Sequence, residues 1–413
     1  MKYLDSARQS PIEAKHSERG SPSPRGKGDE EDRLGKVAAS PNALGYFLTV
    51  PKLEKVCESE QRYWAQKMPI KILMTIAARS RSMVFFEQLH EDTATGQIPE
   101  KFSQILGQFY TNYRRELEAH NIDTSPLEPI FSVFLQLVKQ QISAPYAFQL
   151  YHQKIRSPFD YYGFGLDFMR YLIDFPLSSI SGLDHLQEID LHVKNGNNVI
   201  LLANHQIEAD PQAISLMLES TYPELAEDMI FVAGMRVTTD PLAVPFSLGR
   251  NLLCIYSKRY IDHPPELKLQ KQMHNRRTME LMSELLSRGG KCIYVAPSGG
   301  RDRPNKEGVV EVAPFDPQSI EMFNLMAKKS THPTFFYTLA LKTYTLLPPP
   351  ETIQVELGET RRTKRACVHL CFGPQIDMDH YEGCDHPDKH QRRMNRAVHI
   401  WNRVARDYAS FPE

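Results

Sequence analysis

No stretch of this 413-residue chain approaches the ~18 consecutive apolar residues that a membrane-spanning helix needs. The N-terminus also lacks the apolar core of a secretory leader. The expectation is a protein with at most peripheral membrane association. Charge of either sign is not in excess: 49 Lys plus Arg face 50 Asp plus Glu. That balance argues against a nucleic-acid or general polyanion binder and leaves only local basic clusters. The six cysteines, Cys57, Cys254, Cys292, Cys367, Cys371 and Cys384, show no Cys-x-x-Cys spacing. Cys367 and Cys371 lie four apart in an alternating, strand-like segment without a second pair, so reduced, buried thiols are expected rather than a zinc site. The chain has no Walker loop and no Gly-x-Ser-x-Gly elbow, which removes the P-loop nucleotide hydrolases and the elbow-type serine hydrolases.

What is present divides by texture. Residues 1–40 are rich in Ser, Pro, Gly and charge and poor in large apolar side chains, so they are expected to be disordered. From 45 to 150 the apolar residues recur at helical spacing: Trp64, Met68, Ile72 and Ile76; then Phe102, Leu106, Phe109 and Tyr113; then Ile130 to Val138. Breaks at Gly96–Pro99 and Asp123–Pro126 divide these into a small antiparallel bundle. Within 151–413, from about residue 185, short apolar runs alternate with helical stretches: Val199–Ala203, Met229–Ala233, Leu252–Tyr256, Lys291–Ala296, Thr334–Leu341 and Ala366–Phe372. The fold class expected is α/β: a small N-terminal helical bundle, then a larger α/β domain with a mixed, largely parallel sheet flanked by helices.

In such sheets ligands gather beyond the carboxyl ends of the strands, and there the polar clusters of this chain fall. The first run ends in Asn204-His-Gln-Ile-Glu-Ala-Asp-Pro211. His205, with Asp210 five residues on, reads as a general base and the acid that fixes its tautomer. Asp210 and Pro211 also read as the N-cap and first residue of a helix. Glu208 is a further acid close to the histidine, with a solvated loop carboxylate as the alternative. Without an elbow, or a cysteine beside the histidine, the base would activate a hydroxyl of the substrate rather than one of the enzyme. Lys258 and Arg259 follow the third run. The Gly-led turn Gly299-Gly-Arg-Asp-Arg-Pro304 follows the fourth and offers Arg301 and Arg303, with free backbone N–H groups, to a phosphate; a surface turn with one arginine paired to Asp302 is the alternative. A base and several cations in one cleft suit a small phosphorylated alcohol.

The Asn-His-Gln-x-Glu-Ala-Asp-Pro block resembles the His-x4-Asp motif of glycerolipid acyltransferases. In order along the chain, Ile155-Arg-Ser-Pro-Phe-Asp-Tyr-Tyr-Gly-Phe-Gly165, Phe231-Val-Ala-Gly234, Asp240-Pro-Leu242, Pro245-Phe-Ser-Leu-Gly-Arg-Asn251 and Ala296-Pro-Ser-Gly-Gly-Arg-Asp-Arg-Pro304 resemble the soluble, plastid-type glycerol-3-phosphate 1-acyltransferases. The likeness extends over roughly residues 65–400. It implies transfer of an acyl group from acyl-carrier protein, or acyl-CoA, to the sn-1 hydroxyl of glycerol 3-phosphate, giving 1-acyl-glycerol 3-phosphate. His205 would be the general base and Asp210 its partner. Arg301 and Arg303 would bind the phosphate, with Arg259 and Tyr260 standing where the family has a Lys-His pair. Arg keeps the cation in a different geometry, and Tyr keeps a donor without a charge.

The resemblance calls for no metal and no organic cofactor, and it implies the plastid stroma as the compartment. The oxyanion donors are not identifiable from sequence. The acidic carrier protein would need a basic dock, for which Arg276-Arg277, Lys328-Lys329 and Arg361–Arg365 are candidates, each also readable as a solvated face. Rival readings are an acyltransferase acting on lysophosphatidate, a non-catalytic lipid- or carrier-binding protein of the same fold, and a thioester hydrolase.

Overall fold

The computed structural model describes residues 85–257, 261–350 and 357–412. The expectations for residues 1–40, for the helical spacing from Trp64 to Ile76, and for Lys258, Arg259 and Tyr260 lie outside these residues.

Among the described residues, three helices come first: α1 (Phe85–Ala94), α2 (Glu100–Ala119) and α3 (Leu127–Ser143). They are separated at the breaks read from Gly96–Pro99 and Asp123–Pro126. Helix α2 buries Ile105, Leu106, Phe109, Tyr110, Tyr113 and Leu117, the i, i+4, i+8 stripe of an amphipathic helix. Aromatic edge-to-face contacts tie the three together around Phe131, which meets Phe85, Tyr110 and Tyr113. This aromatic core runs without interruption onto the sheet beneath it.

After strand β1 (Tyr151–His152) come helix α4 (Tyr161–Arg170), β2 (Ser179–Ser181), α5 (Leu183–Lys194), β3 (Asn198–Ala203), α6 (Asp210–Leu218), α7 (Pro223–Asp228), β4 (Ile230–Gly234), α8 (Val244–Ser247) and β5 (Asn251–Ile255). Helix α9 (Lys268–Arg288), β6 (Cys292–Val295), the two-stranded ribbon β7 (Arg303–Pro304) with β8 (Val310–Glu311), α10 (Pro317–Lys329), β9 (Thr334–Lys342), β10 (His369–Gln375) and α11 (Lys389–Ala409) complete the described elements. Among them, eight strands form one sheet in the order β1-β5-β4-β6-β3-β9-β10-β2. The pairings from β5 through β4, β6 and β3 to β9 are all parallel. The β1–β5 and β9–β10 pairings are antiparallel, so the sheet is mixed and largely parallel as expected.

Strand β3 explains why its sequence lacks polar alternation: every residue from Asn198 to Ala203 is buried. A strand inside a parallel sheet is covered on both faces. Val199, Leu201 and Ala203 enter the core shared with the N-terminal helices; Ile200 and Leu202 enter the opposite core, with Met282 of α9, Phe323 of α10 and Ile400 of α11. The strand period of two thus joins two cores through one short segment.

Two of the sequence blocks that carried the resemblance lock to each other. Gly249 lies so close to Tyr161 that a Cβ would sit 2.5 Å from its backbone carbon, so a side chain is excluded by contact rather than by dihedral angle. The Ile155 N–H donates to Leu248 O at 2.8 Å. Arg250 is buried, donates to Ser215 Oγ at 2.6 Å and lies over the Tyr162 ring. These blocks hold α4 against α6, whose first residue is Asp210.

Candidate active site

Strand β3 ends at Ala203, and residues 204–209 form a loop before α6. His205 Nδ1 lies 2.8 Å from Asp210 Oδ2. That same oxygen accepts the Gln206 N–H at 2.8 Å, and Ile207 N–H lies 3.3 Å from both carboxylate oxygens. Thr343, just beyond β9, donates its hydroxyl to Asp210 Oδ1 at 2.5 Å. The Asp210 side chain is fully buried and its charge is met by four donors, the condition for keeping an isolated carboxylate inside a protein. Asp210 is therefore not the N-cap of α6. That position is Ala209, and the Asp210 carboxylate serves the preceding loop instead of the helix end.

An ionised carboxylate accepts, so His205 Nδ1 carries the hydrogen and Nε2 keeps its lone pair. The His205 side chain is 30% exposed, whereas Asn204, Gln206 and Ile207 around it are buried. Among the described residues Nε2 has no hydrogen-bond partner. The geometry thus presents one basic nitrogen to solvent and fixes the other, the arrangement a general base needs.

The neighbouring polar residues are spent on placing this loop. Asn204 donates to Leu341 O and to Asp302 Oδ2, both at 2.9 Å, and its own Oδ1 accepts the Leu341 N–H at 2.9 Å. Gln206 Oε1 accepts the N–H groups of Thr343 at 2.7 Å and Tyr344 at 3.0 Å. Tyr294 of β6 donates to Asn204 O at 2.5 Å. The turn after β6 is stapled on as well: the Asp302 N–H donates to His205 O at 2.6 Å. Asp302 is buried, and burial pushes its carboxyl up to about 6 against the pull of the Ala313 N–H, Asn204, His205 and Gln206.

The arginines differ from expectation. The Gly299–Pro304 turn keeps only part of its N–H groups free: Gly299 donates to Ala296 O and Asp302 to His205 O, whereas among the described residues the Gly300 and Arg301 N–H groups bond no acceptor. Asp302 pairs with neither arginine. Instead, Arg301 Nη2 grips Glu359 at 2.8 and 3.0 Å, and Arg303 donates to Pro350 O. Glu208 is not a solvated carboxylate: Arg361 holds it through Nε at 2.5 Å and Nη2 at 3.1 Å. Nor is Arg361 part of a basic surface. It is 4% exposed, lies 3.7 Å from Asp240, and is more firmly protonated than usual, since Glu208, Asp240 and Glu359 outweigh the burial that works against its charge. Arg365 pairs with Asp174. Of the basic pairs considered as docks, Arg276-Arg277 and Lys328-Lys329 are exposed, with Arg276 paired to Glu280 and Lys328 to Asp379.

This arrangement has known relatives. The description "Acyltransferase" fits residues 179–341. The chloroplastic glycerol-3-phosphate acyltransferase ATS12 of Cucurbita moschata is 36% identical over 323 residues, 78% of this chain and 70% of that protein. The chloroplastic glycerol-3-phosphate acyltransferase of Arabidopsis thaliana is 35% identical over 315 residues, 75% of this chain and 69% of that protein. The chain belongs to the glycerol-3-phosphate acyltransferase family. Among solved structures, the 1-acyl-sn-glycerophosphate acyltransferase PlsC of Thermotoga maritima matches 79% of this chain and 97% of its own, at 14% identity and a TM-score of 0.33.

Within this acyltransferase, the matched stretch stops at Leu341, two residues short of Thr343. Thr343, Glu359 and Arg361 thus lie beyond the region the general acyltransferase description spans, yet they bind groups within it. Thr343 and Glu359 escaped sequence reading, and Arg361 was read only as part of a basic cluster, because their partners are more than 50 residues away. The polar run Asn204–Gln206 was visible; what it bonds was not. Among the described residues, no helix is long and apolar enough to cross a membrane.

Proposed function

We propose that this acyltransferase moves a fatty acyl group from acyl-carrier protein, or acyl-CoA, to the sn-1 hydroxyl of glycerol 3-phosphate. The product is 1-acyl-sn-glycerol 3-phosphate. The observation that carries the reading is the His205–Asp210 pair, with Nδ1 held at 2.8 Å and Nε2 facing solvent, in a chain whose relatives are glycerol-3-phosphate acyltransferases.

His205 Nε2 takes the proton of the acceptor hydroxyl as its oxygen attacks the thioester carbonyl. Asp210 stabilises the imidazolium so formed. The tetrahedral oxyanion then collapses, the carbon–sulfur bond breaks, and the imidazolium returns its proton to the leaving thiol. Arg301, Arg303, Arg259 and Tyr260 bind the phosphate and so hold the hydroxyl at the base, which makes the attack effectively unimolecular. The names of the relatives support a plastid location, and we propose the stroma. Arg276-Arg277 and Lys328-Lys329 remain the basic surfaces suited to an acidic carrier.

The test uses purified protein, labelled glycerol 3-phosphate and an acyl-carrier-protein donor, with the acyl position in the product determined. The expected product is the 1-acyl isomer. Free fatty acid without ester would instead identify a thioester hydrolase. Product formed only from added lysophosphatidate would identify a different acceptor, and no turnover with any acceptor would overturn the enzymatic reading.

A further inference from the structure

Glu359 is an odd companion for a phosphate site. It is buried, 5% exposed at its side chain, and it sits where two arginines from different strand ends converge. Arg301, from the turn after β6, donates to both of its oxygens through one nitrogen, Nη2. Arg236 lies in the short 3₁₀ segment Met235–Thr238 after β4, and its Nη1 lies 3.3 Å from Glu359 Oε1. Two guanidinium groups therefore meet on a single carboxylate oxygen. That is the kind of anionic oxygen a phosphate presents.

The carboxylate is not a loose counter-ion that swings aside. Arg361 Nη1 donates to the Glu359 backbone carbonyl at 3.1 Å, and Arg361 is in turn gripped by Glu208 of the His205 loop. A charge held this way, and buried, would be left unpaired if it withdrew from the arginines, at a heavy cost. It leaves most of the Arg301 fork unused: among the described residues, Arg301 Nε and Nη1 make no hydrogen bond. A side chain pinned at one corner with its other donors open is aimed, not blocked.

We propose that Glu359 is a positioning residue for the phosphate site and that Arg236 is a further phosphate-binding cation within it. This rests on the glycerol-3-phosphate reading above. Glu359 fixes the guanidinium planes of Arg301 and Arg236 before substrate arrives, so that ordering two long side chains is not charged against substrate binding. The chain Glu208–Arg361–Glu359 then ties that geometry to the loop bearing His205, so base and anchor keep one spacing.

Steady-state kinetics of Glu359→Gln and Arg236→Ala, read separately for the two substrates, test this. Glu359→Gln keeps the shape and loses the charge that orients the arginines. Its KM for glycerol 3-phosphate is expected to rise about tenfold, the weight of a charge-assisted hydrogen bond, with kcat and the KM for the acyl donor nearly unchanged. Arg236→Ala should raise the same KM by about tenfold or more, and Arg236→Lys should recover part of it. In an Arg301→Ala background, Glu359→Gln should cost less than it does alone, because the part acting through Arg301 is gone and only the part acting through Arg236 is left.

A lower KM in Glu359→Gln would overturn the proposal by making Glu359 a competitor of the phosphate. Equal losses toward both substrates, or a loss fully additive with Arg301→Ala, would make it merely structural. If Glu359→Gln does not fold, Arg236→Ala decides alone, since Arg236 is 24% exposed at its side chain; an unchanged KM there would overturn the inference. A wild-type enzyme active on glycerol 3-phosphate with both variants normal defeats only this inference. A wild type inactive on it defeats the reading beneath as well.

Discussion

Around Asp210 the partners are two backbone N–H groups, a histidine and a threonine; around Glu359 they are arginines. Both carboxylates are buried, and in the proposed reading each organises one side of the same site. The first is held by short groups whose positions follow from the strand end and the first turn of a helix. The second is held by long side chains reaching from two separate segments. Proton transfer demands placement within hydrogen-bond reach along one line, and the short, backbone-dominated shell supplies it. Anchoring an anion tolerates more slack, and flexible cations suit it.

The largest effect that would break this contrast belongs to the histidine side. His205→Ala should lower kcat by about 10²- to 10⁴-fold, the scale of losing a general base, while glycerol 3-phosphate still binds with nearly its original affinity by calorimetry. Unchanged turnover would sink the assignment. Next comes Asp302, the carboxylate beneath the loop. Its pKa in the folded chain, about 6, stands above the ordinary 3.8. The carboxyl therefore takes up a proton on folding, and its stabilising share is complete below about pH 4 and lost as pH rises to about 6. The stability of wild type relative to Asp302→Asn should fall by roughly 3 kcal/mol across that interval and stay level above it, by urea unfolding at fixed pH values. A difference flat with pH would contradict it.

On the arginine side, Arg301→Ala should raise the KM for glycerol 3-phosphate by about 10- to 100-fold with little change in the donor KM. A change confined to the acyl donor would mean that the anchor lies elsewhere. Smallest is Thr343→Val. It removes one of four donors to Asp210 while keeping the shape, so kcat should drop about fivefold with both KM values kept, the weight of one hydrogen bond. A loss as large as that of His205→Ala would show the Asp210 shell to be far less redundant than its donors suggest.

These two sides also differ in what could be read before the fold was known. His205 and Asp210 are five residues apart, and a strand-to-helix turn alone brings them together, so their pairing was visible. The parallel sheet was visible for a similar reason: runs such as Val199–Ala203 are apolar on both faces. Glu208 and Arg361 are 153 residues apart, and nothing near either one names the other. Sequence logic therefore left Glu208 beside the histidine or in solvent and put Arg361 on a basic surface. It also took Asp210 for a helix cap, a sound local preference that the surrounding loop overrode. Charged side chains carry no periodicity of their own; only the sheet order, which sets β3 between β6 and β9, decides which of them meet.

That sheet order bears on how the enzyme comes to life. Asp210 is completed by Thr343, Gln206 by Thr343 and Tyr344, and Asn204 by Leu341, across 133 to 138 residues of chain. Contacts so distant in sequence form slowly, because the intervening chain must first be ordered. During refolding from denaturant, helical signal from the early segments should return first. Turnover should return last, once β9 has docked beside β3. Activity in this protein is then a report on the closing of these long loops.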